Sequence, residues 1–290
     1  MNSFGTLTDE QVQSFLKKGY VIVRDCIDLS IANRWIAHAY QRLGYDPQDP
    51  STWTEGIVWM HHEQEIPIRQ IAPKAWGAIV DAVGGEERIE TKIWRAPQNL
   101  YPVNSFNWSD AFIPNFHNGA DQPWRPPSPK VGGWHKDGGY FRHFLDSPEQ
   151  GLLTIVMWSE LRHQGGGTFI APDSVGVVAR YLRDHPEGIG AREWKVQPLI
   201  EQCHEFEEIT GSAGDFVILH PFMLHATSQN VLRRPRWITN PPVVLKEPMN
   251  LNRDDPASYS LVERGTLRAL GVERLDFKLS APREQEWTPM

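Results

Sequence analysis

A mainly β fold, with a double-sheet jelly roll at its centre and helices flanking it, is what this 290-residue sequence predicts. Short β-branched and aromatic runs recur through the second half of the chain with turn residues between them, whereas helical periodicity is concentrated in the first 90 residues. No internal repeat or low-complexity tract interrupts that division, so the chain is expected to be one domain. Its parts are an N-terminal helical and strand elaboration over 1–90, a core over about 90–246 and a tail over 247–290.

Taken in order, Thr8 followed by Gln11 is a capping box that opens a helix running to about Lys18. Residues 20–24 form a short β-branched strand. Ile31, Trp35, Ile36, Ala39 and Leu43 recur at helical spacing and predict a helix over 29–43, and a second such stretch covers 72–83. Residues 97–130 are rich in proline and aromatics with weak periodicity, and are read as a long irregular insertion with room for one strand; stretches of that length are lids or disordered segments. Strands are expected at 131–135, 152–161, 168–171, 204–210, 215–219, 223–227 and 237–245, with a helix at 174–182. Gln164-Gly165-Gly166-Gly167 lacks the Lys-Ser/Thr of a phosphate loop and is read as a tight connection between strands.

Composition narrows the function. No stretch approaches the roughly 20 apolar residues needed to span a bilayer, and the sequence does not open on a basic-then-apolar signal, so a cytoplasmic protein is expected. Cys26 and Cys203 are too few for a disulfide framework and suit a reducing compartment. A net charge of −7 argues against nucleic acid as a partner, because that affinity rests on neutralising phosphates.

The chemistry concentrates around His135-Lys136-Asp137. On an extended strand residues i and i+2 share a face, so the His135 imidazole and Asp137 carboxylate can meet one ion while Lys136 points away. His225 ends a second apolar strand pattern some 90 residues on. Two histidines and one carboxylate with open positions form the ligand set of non-haem Fe(II) oxygenases. His220 competes with His225, but Pro221 follows it and no hydroxyl stands two residues beyond. His61, His62, His117, His143 and His163 lack comparable context as ligands and are read as surface or substrate-pocket residues.

From Leu7 to about Pro242 the chain resembles the phytanoyl-CoA dioxygenase-like branch of the Fe(II)/2-oxoglutarate oxygenases. The resemblance begins in Leu7-Thr8-Asp9-Glu10-Gln11 and Gly19-Tyr20-Val21-Ile22-Val23-Arg24. It is strongest in Trp134-His135-Lys136-Asp137, Gly166-Gly167-Thr168-Phe169-Ile170-Ala171-Pro172-Asp173-Ser174 and His225-Ala226-Thr227-Ser228-Gln229-Asn230. It implies a double-stranded β-helix, cupin-like core, with iron held by His135, Asp137 and His225. It further implies that the distal carboxylate of 2-oxoglutarate is held by Arg236 with Thr227 beside it, and that Trp158 is an aromatic near that cosubstrate.

Side-chain chemistry agrees with this placement. A guanidinium matches a carboxylate with a planar fork of donors and stays charged when buried. Arg233 and Arg234 rival Arg236, and Arg234 shares its strand parity. Thr227 lies two residues beyond His225 and so faces the same cavity on an extended strand.

The expected activity is oxidation of an unactivated C–H bond with O2 and 2-oxoglutarate, giving succinate and CO2, by hydroxylation, desaturation or ring formation. Related halogenases replace the metal carboxylate with a small residue, and Asp137 keeps it. Two other readings stand beside this one: an iron and O2 enzyme of the same fold that does not use 2-oxoglutarate, and a non-catalytic metal-binding protein. Trp94, Trp134, Tyr140, Phe141 and His143 are the candidate substrate wall, for a small metabolite or natural-product intermediate.

Overall fold

The computed structural model describes residues 5–95, 103–284 and 288–289, so residues 97–102 of the expected insertion lie outside the described residues. Its helices are α1 (Asp9–Lys18), α2 (Leu29–Leu43), α3 (Ile68–Ile71), α4 (Pro73–Val83), α5 (Ser174–Arg183), α6 (Gln197–Ile200) and α7 (Leu261–Leu270). The first strands are β1 (Tyr20–Val23), β2 (Glu65–Pro67), β3 (Trp94–Arg95), β4 (Asn107–Ser109), β5 (Leu153–Met157) and β6 (Thr168–Ala171). Then follow β7 (Glu207–Ile209), β8 (Phe216–Leu219), β9 (Leu224–Thr227), β10 (Ile238–Thr239) and β11 (Thr288–Pro289).

Two antiparallel sheets carry the centre of the molecule. One has the order β1-β8-β5-β10 and the other β7-β6-β9, while β2 with β4 and β3 with β11 form separate ribbons. Side chains from both main sheets, among them Ile155 and Leu219 from the first and Thr168 and His225 from the second, line one cavity, so the sheets face each other across it. Every residue of β5, β6 and β8 is buried, as expected of strands covered on both faces. On the outer side, Trp35 of α2 packs on Trp158 with ring centroids 5.1 Å apart, and Trp108 and Phe112 complete this aromatic layer.

Local signals explain the elements. Thr8 accepts from the Gln11 backbone while the Gln11 side chain returns to Thr8, and Gly19 ends α1 in the left-handed region at φ 72°. The helix α7 uses the same device, Ser260 with Glu263, and Glu263 is fully buried. It packs on α1, α4 and α5, so the segment expected as a tail contains a core helix.

Three expected strands differ, and the one at 152–161 ends at Met157, with Leu161 left in an isolated bridge to Gly211. Residues 131–135 form no strand; Gly132 and Gly133 interrupt the run, and His135 alone makes an isolated bridge to His225. The strand expected at 237–245 stops at Thr239, because Pro241 and Pro242 have no N–H for the ladder, although Val243 and Leu245 make single bridges further on.

Candidate metal centre

The bridge between His135 and His225 is what brings distant parts of the chain to one point. Each backbone N–H donates to the other's carbonyl, at 2.9 and 3.1 Å, and residues opposed in this way share a face. The two imidazole centroids are 4.2 Å apart. Asp137 follows in a bend, with its Oδ1 3.4 Å from His135 Nε2 and 3.5 Å from His225 Nε2. One ligand atom from each of the three lies within 4.8 Å of the others. A side chain at Gly138, φ 109°, would run 2.6 Å from both His143 and Phe141, so the chain can turn there only as glycine.

The donor set fits a divalent transition metal. His135 Nδ1 lies 2.8 Å from the Gly133 carbonyl and His225 Nδ1 3.2 Å from the Met223 carbonyl. These contacts assign the ring protons to Nδ1 and leave both Nε2 lone pairs directed at the common point. Burial pushes the Asp137 carboxyl up, but the His225 and His135 imidazoles outweigh it and hold the group well below its ordinary value. For His135, burial lowers the pKa, and Asp137 together with the Gly133 carbonyl turns the net shift upward. The His225 side chain is 9% exposed, against 47% for His135 and 24% for Asp137, so the point opens to solvent on the His135 side.

Behind it is a cavity of about 110 Å3, lined by both histidines, Thr227, Thr168, Arg236 and Asn240 between apolar walls that include Ile113, Leu153 and Ile238. Strand parity places Arg236, Ile238 and Asn240 together on this face. Arg236 is 2% exposed; its Nε donates to the Gly166 carbonyl at 2.6 Å and its Nη1 to that of Ile113 at 3.0 Å. Burial pushes its pKa down to about 9, which leaves it cationic at neutral pH. No carboxylate among the described residues comes within the 4.0 Å of an ion pair. Its rivals point elsewhere: Arg234 pairs with Glu160 and Arg233 with Asp121, both exposed.

The glycine connection therefore has a second use beyond joining strands. Gly166, φ 80°, supplies the carbonyl that orients Arg236, and a Cβ there would meet Asn115 Nδ2 at 2.6 Å. Asn115 is fully buried, pairs its backbone with Arg236 and donates to the Ser228 carbonyl, while Asn230 donates to the Asn115 carbonyl at 2.7 Å.

Other expected residues lie elsewhere. Trp158 does not line the cavity; the side chains of Leu153 and Ile155 do, and Trp158 has the opposite parity, so its indole enters the aromatic layer and donates to Thr239 Oγ1 at 3.0 Å. None of the five candidate substrate-wall residues lines the cavity. Trp134 donates to the Ser128 carbonyl and packs edge-on against Phe206, and Phe141 stacks on His143 at 4.1 Å beneath the Asp137 bend. Trp94 and Tyr140 pack on Val103 and Val244 in a satellite cluster. His220 is fully buried beside Thr266, and burial pushes it down to about 3. Lys136 does turn from the metal point, but inward, with Nζ 2.8 Å from His143 Nδ1 and 3.3 Å from the Asp137 carbonyl; burial pushes it down to about 7.

Sequence reasoning passed over Trp59, Thr168 and Asn240, which all line the cavity. Strand pairing of Thr168 with Thr227 marks the second, and the parity shared with Arg236 marks the third.

No protein-family model and no curated protein matches the sequence. Among solved structures the chain is similar to EctD from S. alaskensis, solved with 2-oxoglutarate and 5-hydroxyectoine, at 16% identity over 84% of this chain and 77% of that one, TM-score 0.45. It is similar to the epimerase SnoN, in complex with Fe3+, alpha ketoglutarate and nogalamycin RO, at 13% identity over 81% and 82%, TM-score 0.44. The alpha ketoglutarate dependent carbocyclase SnoK from nogalamycin biosynthesis follows at 14% over 84% and 87%, TM-score 0.42. All three likenesses are faint, and the functional reading rests on the geometry of the site. Among the described residues no helix is long and apolar enough to cross a membrane.

Proposed function

We propose that this chain is a non-haem Fe(II)- and 2-oxoglutarate-dependent oxygenase of the phytanoyl-CoA dioxygenase-like branch, built as one domain on a double-stranded β-helix core. The observation that carries this reading is Arg236. A buried guanidinium without an anion is costly, and here it lines the same small cavity as two imidazoles whose Nε2 atoms converge with a carboxylate. A molecule that binds metal at one end and carries a carboxylate at the other completes both halves.

His135, Asp137 and His225 would hold the metal and leave adjacent positions open, and iron so held supplies O2 activation coupled to oxidative decarboxylation of 2-oxoglutarate. Arg236 binds the distal carboxylate through its remaining donors, with the Thr227 hydroxyl on the same face. Ile113, Leu153, Ile155, Leu219 and Ile238 exclude water along the length of the cosubstrate. The substrate, a small metabolite or natural-product intermediate, approaches from the exposed His135 side and undergoes hydroxylation, desaturation or cyclisation. A cytoplasmic setting and a role in secondary metabolism suit such a substrate.

Anaerobic addition of 2-oxoglutarate to the Fe(II)-loaded protein is expected to produce a visible charge-transfer band, absent in Asp137→Ala, whose metal affinity falls by more than about 100-fold. Wild-type protein that shows no band and forms no succinate would overturn the proposal. Oxygen consumption indifferent to 2-oxoglutarate would point instead to an iron enzyme without that cosubstrate.

A further inference from the structure

Trp59 is 56% exposed, yet its side chain lines the metal cavity. Its position is built. The Met60 N–H donates to the Phe112 carbonyl and the Val58 N–H to that of Pro114, which sets Trp59 opposite Ile113, itself a cavity residue. Met60 is buried and Val58 half-buried against the core, so the alternation pins the backbone and presents the indole at the mouth.

A second hollow, of about 30 Å3, is lined by chain neighbours of cavity residues. The two share chain segments: Trp59 and Asn240 line the cavity, while His62, Pro241 and Pro242 line the hollow. The floor of the hollow is the outer face of the β2/β4 ribbon, where Glu65 is paired opposite Ser109 and Asn107 follows two residues along on the same face. The side chains of His62, Glu65, Asn107 and Ser109 have no hydrogen-bond or ion-pair partner among the described residues. Among the described residues neither Lys nor Arg lines the hollow.

We propose that Trp59 is the stacking platform for the substrate and that the substrate is a saturated, polyhydroxylated ring, a sugar or cyclitol, bearing no phosphate or carboxylate. The inference rests on the oxygenase reading and names the substrate class of that same site. The cavity, on the order of a few water volumes, is filled by the cosubstrate, so the substrate sits outside it, over the exposed edge of His135. One indole face meets the C–H face of a ring, and the ledge of Asn107, Ser109, Glu65 and His62 meets its hydroxyls. A flat aromatic scaffold would leave the four polar side chains of the ledge without partners, whereas a polyol meets them and still has C–H faces for Val103, Pro241 and Pro242. An acyl-CoA or other anion would meet Glu65, with no Lys or Arg among the described lining residues to offset it.

The test is saturation-transfer NMR on the protein loaded with Zn(II) and 2-oxoglutarate, using methyl α-glucopyranoside, myo-inositol, 2-naphthol and octanoate as probes. Saturation of the ring C–H protons of the two polyols is expected. It should fall at least fivefold in Trp59→Ala, persist in Trp59→Phe and weaken in the Asn107→Ala/Ser109→Ala double variant. Calorimetric affinity for 2-oxoglutarate should be unchanged in the Asn107→Ala/Ser109→Ala variant, whose residues lie outside the cavity, and should survive in both Trp59 variants. Wild-type protein that binds 2-oxoglutarate but neither polyol, or prefers naphthol or octanoate, or holds polyols equally well as Trp59→Ala, overturns the inference. Polyol binding through Trp59 without any affinity for 2-oxoglutarate keeps the platform and overturns only the oxygenase reading.

Discussion

Glu263 and Arg236 are both buried charges, and they are treated in opposite ways. Glu263 in α7 receives six donors: Arg88 at 2.6 and 3.4 Å, Arg253 at 3.0 and 3.3 Å, and the backbone N–H groups of Asn250 and Ser260, each at 2.8 Å. Arg236 has two carbonyls and no carboxylate. The helical corner is electrostatically finished by the protein itself, whereas the cavity between the sheets is finished only by something that arrives. A charge compensated internally secures a fold; one left waiting defines a receptor.

Three substitutions break or sharpen this contrast. Arg236→Met should lower 2-oxoglutarate affinity by about 4 kcal/mol, roughly a thousandfold, while the urea midpoint of the ligand-free protein holds or rises, because a lone buried charge gives way to an apolar chain. Calorimetry and urea titration read the two effects, and a large loss of stability would erase the distinction drawn here.

Glu263→Gln should do the reverse, costing about 3 kcal/mol of stability with 2-oxoglutarate affinity intact. Burial raises the Glu263 pKa, and the two arginines with the Ser260 N–H outweigh it, so the folded value lies below the ordinary 4.5. Its contribution is therefore complete above that pH and is lost as pH falls through the folded value. The acid limb of a urea-midpoint profile should flatten in the variant, and an unchanged limb would contradict the assignment.

Lys136→Met should have the smallest effect, under about threefold on Co(II) affinity by competition titration. The ammonium faces His143 and Gln150, and its one contact with a ligand residue is to the Asp137 backbone. A loss comparable with that of Asp137→Ala would mean that the amine, and not the bend alone, sets the carboxylate.

The sequence was most legible where a single local signal suffices. The run 168–171 is the observed β6, the capping box at Thr8 opens α1, and the period over 29–43 is α2 in full. Parity favoured Arg236 together with Arg234, but only the three-dimensional pairing of Arg234 with Glu160 separates them. The same parity rule, applied to Trp158 against Leu153 and Ile155, would have sent that indole to the aromatic layer. Ser260 with Glu263 carried the same signal as Thr8 with Gln11, and α7 was legible in principle. Trp59 was not, because nothing local distinguishes an indole over a cavity from one on an ordinary surface; its place depends on pairing with residues more than fifty positions away.

The ladder contact of His135 with His225 is isolated, and the residues on either side of His135 continue in loops. His225 sits on a strand held by β6, while His135 and Asp137 ride on a bend. An ion between them would act as a rivet fastening a loop-borne arm to a strand-borne wall. The arm is the open edge of the basin, so loading the rivet would also shape the threshold over which a guest must pass.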